Sequence, residues 1–76
     1  MNKEGRSKLS EAVSKLNEAK GLIEDVGSDE QEKFDNLSEG LQAAEAGQKM
    51  EENANTLAEA VSSLEEVISN VESASE

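Results

Sequence analysis

Seven carboxylates gather near the middle of the chain: Glu24, Asp25, Asp29, Glu30, Glu32, Asp35 and Glu39. Of all the side chains, these come nearest to a chemical site. Clustered oxygen donors suit Ca²⁺ or Mg²⁺, but the D-x-[DN]-x-[DN]-G spacing of a calcium loop is absent. On a helix, Asp25, Asp29 and Glu32 share a face and make at best a weak divalent site, so no metal is expected. The chain has no His and no Cys. That removes imidazole and thiol chemistry, disulfides and the ligands zinc prefers. A catalytic carboxylate pair needs environments that push two pKa values apart, and solvated helix faces do not supply them. Ser and Lys are both present, yet Ser–Lys catalysis needs a desolvated pocket, which two helices cannot enclose. There is no glycine-rich phosphate loop. A non-catalytic protein without a cofactor is the expectation.

The charge balance narrows the partners. Eighteen acids oppose seven bases, for a formal net charge of −11. Phosphate backbones are bound mainly through Lys and Arg, so direct contact with DNA or RNA is not expected, and anionic membranes are disfavoured for the same reason. No apolar run exceeds two or three residues, which provides neither a membrane span nor the apolar core of a signal peptide; the expected location is the cytoplasm. The charge is also local. Residues 1–20 carry Lys3, Arg6, Lys8, Lys15 and Lys20 against Glu4, Glu11 and Glu18, whereas only Lys33 and Lys49 offset the acids that follow. A basic first helix lying against an acidic second one, with their charges paired, would account for this asymmetry.

Two elements are predicted to hold these residues. Ala43, Gly47, Met50, Ala54, Leu57, Val61, Leu64, Ile68 and Val71 follow one another at alternating spacings of four and three, the mark of a helix with one buried edge. Ala46, Ala60, Val67 and Ala74 widen that seam to the breadth a helix needs inside a bundle. Its small first members allow close approach near Ala43 and Gly47. A weaker stripe, Leu9, Ala12, Leu16, Ala19, Ile23 and Val26 with Val13 and Leu22 beside it, predicts the first helix, capped by Ser7. Glu11 and Lys15 stand in the favourable i,i+4 order. Two readings fit the connection: a break at Gly27-Ser28, where Ser28 and Gln31 have capping-box spacing, or a helix continuing to Asn36. Asp35-Asn36 and Ser38-Glu39-Gly40 are the densest turn chemistry, which favours the second. The expected fold is all-α, a long antiparallel coiled-coil-like hairpin: helix 1 over about 7–36, a turn over about 37–42 and helix 2 over about 43–73, dimerising into a four-helix bundle.

The stretch from Glu30 through Phe34-Asp35-Asn36-Leu37-Ser38-Glu39-Gly40-Leu41 to Gln42, followed by Met50-Glu51-Glu52-Asn53 and Leu57-Ala58-Glu59-Ala60, resembles a family of short acidic proteins. These helical hairpins come from phages and mobile elements of Gram-positive bacteria. The likeness covers roughly residues 9–71, and its specific part is the turn. Ser38, where Pro is common in the family, and Gly40 depart from the pattern and should loosen the turn. The resemblance implies a hairpin of phage or prophage origin and brings no established activity with it.

Two function classes follow. In the first, the hairpin is a protein-binding module that self-associates along Leu9, Leu16, Ile23, Met50, Leu57, Val61, Leu64, Ile68 and Val71, because one hairpin alone buries too little to offset about 1.5 kcal/mol of ordering cost per residue. A helix from another protein could also complete the seam. In the second, the acids imitate a nucleic-acid backbone and block the basic cleft of a nuclease, CRISPR effector or other DNA- or RNA-binding protein. The expected contacts are Glu24, Asp25, Asp29, Glu30, Glu32, Asp35 and Glu39. Phe34, the only aromatic residue, either anchors a partner at the hairpin tip or packs under the turn against Leu37 and Leu41.

Overall fold

The computed structural model describes all 76 residues. Two long helices lie side by side, antiparallel: α1, Lys3–Asp35, and α3, Glu45–Ala74. A short α2, Glu39–Ala43, joins them. The expected all-α hairpin is what forms, as a rod of 58 × 15 × 13 Å.

α1 begins four residues earlier than expected, because Asn2 and not Ser7 caps it. The Asn2 side-chain oxygen accepts from the Gly5 N–H at 2.7 Å, satisfying a donor that the first helical turn cannot. The helix then runs through Gly27-Ser28 without a break. Gly27 lies in the seam: a Cβ there would sit 3.4 Å from the Leu57 Cβ. The glycine therefore faces α3 at ordinary packing distance and does not interrupt the first helix.

The connection is more ordered than a turn over 37–42. Asn36 ends α1, its N–H donating to the Glu32 carbonyl at 3.1 Å. Ser38, with extended backbone, starts α2 and accepts weakly from the Leu41 N–H at 3.4 Å. Gly40 is thus part of a helical turn, and no residue in the chain adopts a positive φ. Ala44 is extended and serves both as the end of α2 and as the start of α3, so α3 begins two residues later than expected and without a side-chain cap. Two glutamines hold the corner. Gln42 Nε2 donates to the Phe34 carbonyl at 3.0 Å, and Gln48 Nε2 donates to the Gln42 carbonyl at 2.9 Å. Each satisfies a carbonyl at a helix end that has no partner inside its own helix.

Close packing culminates at Gly47. A Cβ there would collide with the Leu41 carbonyl oxygen and lie 2.8 Å from the Gln42 oxygen and 2.9 Å from the Gln42 Cα. These are backbone atoms and cannot rotate away. Only a residue without a side chain lets α2 fold down on the start of α3.

The core is thin. Gly47, Ala54 and Ile68 are the buried residues. The other expected seam positions, Leu9, Leu16, Ile23, Met50, Leu57, Val61, Leu64 and Val71, are half-buried. In α1 the covered line runs through Ile23, Gly27, Glu30 and Phe34, leaving Val26 and Leu22 outside. The reason is helical drift: an α-helix turns slightly less per residue than a strict heptad requires, so after Ile23 the facing position moves from Val26 to Gly27.

Candidate protein-binding surface

Once the seam is fixed, every other side chain has a place around the rod. The two helices run in opposite directions, so a step back of one residue from the seam turns both toward the same side. On that side α1 presents Ala12, Ala19 and Val26 with Leu22 beside them, and α3 presents Ala46, Asn53, Ala60, Val67 and Ala74. Leu22 is 63% exposed, Val26 54% and Val67 44%. Three large apolar side chains thus share one open face with a row of alanines. The next row of α3, Lys49, Thr56, Ser63 and Asn70, is uncharged apart from Lys49, which pairs with Glu52 at 3.7 Å.

The acids go elsewhere. Glu4, Glu11, Glu18, Asp25 and Glu32 recur every seven residues along the outer edge of α1, and Glu45, Glu52, Glu59 and Glu66 do the same on α3. All nine are exposed. A spacing of seven residues sets neighbours in each row about 10.5 Å apart. The face opposite the apolar one carries Glu24 and Gln31 across from Ala58 in a shallow open cleft, with Ser10 across from Glu72 farther along.

Sequence reasoning grouped eight contact residues, and the structure distributes them. Asp25 and Glu32 lie on the outer edge of α1, Glu24 on the cleft face and Asp29 at the margin of the apolar face. Glu30 turns toward the seam, its side chain 23% exposed and 3.7 Å from Lys33. Asp35 accepts from Gln31 Nε2 at 2.9 Å, and Glu39 opens α2. Phe34 and Leu37 are half-buried, while Leu41 is 57% exposed. No three acidic side chains converge closely enough to hold a metal ion. No helix is long and apolar enough to cross a membrane.

The expected pairing of a basic α1 with an acidic α3 does not occur. All four ion pairs lie within a single helix: Lys8–Glu4 at 3.6 Å, Lys15–Glu11 at 3.3 Å, Lys33–Glu30 and Lys49–Glu52 at 3.7 Å. Comparisons with known protein families, with characterised proteins and with solved structures find no match for this chain.

Proposed function

We propose that this chain is a non-catalytic protein-binding module, a hairpin that self-associates and presents its acidic edges outward. The observation that carries the reading is the imbalance between its thin core and the open apolar face. A single hairpin buries three residues, while Leu22, Val26 and Val67 remain in water on one side. A second layer of helices would cover them and supply the burial that one layer lacks. Sedimentation equilibrium at micromolar concentration tests this directly. A dimer or tetramer is expected; a folded monomer at 100 µM, an order-of-magnitude choice well above weak dimer affinities, would refute it.

A second reading rests on the carboxylate rows. Two exposed lines of acids could occupy the basic cleft of a nuclease, a CRISPR effector or another nucleic-acid-binding protein. The net charge of −11 over 58 Å is about one charge per 5 Å of rod, against one per 1.7 Å of duplex DNA. A single hairpin is therefore a sparse imitation, and a pair of hairpins a closer one. Such binding would weaken steeply with salt and compete with DNA or RNA. The turn segment is what supports an origin in a phage or mobile element, where such an inhibitor would act in the host cytoplasm.

A further inference from the structure

We infer that the face carrying Leu22, Val26, Ala60 and Val67 docks on the same face of a second copy, about a twofold axis that crosses the rod at Leu22. The inference rests on the self-association proposed above and specifies its geometry. Three observations lead to it.

The first is area. The chain exposes 5471 Å², whereas a compact monomer of 8.1 kDa exposes about 4,500 Å². The excess, about 1,000 Å², matches the roughly 800 Å² that each partner contributes to a standard interface. The second is charge segregation. The outer edges carry the acid rows, and α3 has one charged residue, Lys49, on the proposed face. The opposite face carries Glu24, Glu51, Glu65 and Glu72, so a second copy meets less negative charge on this side.

The third observation fixes the axis. On α1 the margin of this face reads Lys8, Lys15, Leu22, Asp29, each seven residues from the next. A twofold interface must be self-complementary. With the axis at Leu22, Lys15 and Asp29 lie about 10.5 Å to either side of it, so Lys15 of each copy meets Asp29 of the other. Lys8 falls level with Asn36, a neutral residue. The same axis suits α3. Gly27 and Leu57 touch across the hairpin, which sets Leu22 level with about residue 62 at one rise per residue in each direction. Around that point Ala60 meets Ser63 and Thr56 meets Val67, all neutral pairs. An axis along the rod would instead set Lys33 near Lys49 and leave Lys15 opposite uncharged α3 residues.

The test is a charge-swap cycle read by sedimentation equilibrium at about 0.15 M salt, where the repulsion between the rods is largely screened, with helicity checked by circular dichroism. Lys15→Glu and Asp29→Lys should each weaken association about tenfold, since each acts at two symmetric contacts, and the double variant should recover to within about threefold of the parent. Leu22→Lys, at an exposed site, should abolish association and keep the helices. A dimer indifferent to Leu22→Lys would overturn the assigned face and leave self-association standing. Sensitivity to Leu22→Lys without rescue in the double variant would overturn the twofold arrangement. A parent chain that is a folded monomer would overturn both this inference and the reading beneath it.

Discussion

Two glycines show how differently one residue type can act. Gly47 sits under the backbone of α2, and any side chain there meets carbonyl oxygens. Gly47→Ala must push α2 off the start of α3 and is expected to destabilise by about 2–3 kcal/mol, in the range of overpacking. Chemical denaturation would show a lower midpoint. Gly21 has nothing within 4 Å of the place a Cβ would take. Gly21→Ala is expected to stabilise by about 1 kcal/mol, since the helix gains propensity and loses no contact. A rise of several degrees in melting temperature would confirm it. Gly47 lay at a seam position in the sequence, and that placement made its role legible. Gly27, by contrast, reads in the sequence only as a candidate break, because the stripe there passes through Val26 beside it. Periodicity counted at a fixed seven misses the drift that exchanges the two.

At the scale of the elements, the two long helices were legible and their ends were not. Apolar spacing reports which residues face a neighbour, whereas an end is decided by where an unpaired N–H finds an oxygen. Asn2 provides one five residues ahead of Ser7, and a glutamine side chain closes each side of the corner. Gln42→Ala removes the bond to the Phe34 carbonyl, which keeps the Leu37 N–H at 3.1 Å as its remaining partner. The expected cost is about 1 kcal/mol, read as a shift in urea midpoint at constant slope. The converse applies at Ala44, which starts α3 with extended backbone and no side-chain acceptor. Ala44→Asp or Ala44→Ser places an oxygen over the first-turn N–H groups and should stabilise by about 1 kcal/mol, more for Asp if the helix dipole contributes. Equal stabilities of Ala44 and both variants would show that these N–H groups are already satisfied by water.

At the scale of the whole molecule, shape and charge pull in opposite directions. The radius of gyration is 17.2 Å, against about 11 Å for a compact chain of this length, so little of the rod lies far from water. Composition made the thin core legible. It could not show which face stays neutral, because that depends on the seam phase of both helices together. Two rods of charge −11 repel each other. As point charges 20 Å apart their repulsion is about 25 kcal/mol in unscreened water, falling to about 2 kcal/mol when the screening length is 8 Å. Further salt removes that remainder, while burial of Leu22, Val26 and Val67 is unaffected or strengthened. Association of the hairpin with itself should therefore tighten as sodium chloride rises from 0.15 to 1 M, an order-of-magnitude span chosen to collapse the screening length to about 3 Å. Binding of the acid rows to a basic cleft should loosen over the same range, because attraction is screened as repulsion is. The sign of the salt dependence thus assigns an observed complex to one surface or the other. A self-association constant that falls with salt would mean that attractive ion pairs, such as Lys15 with Asp29, outweigh the repulsion between the rods.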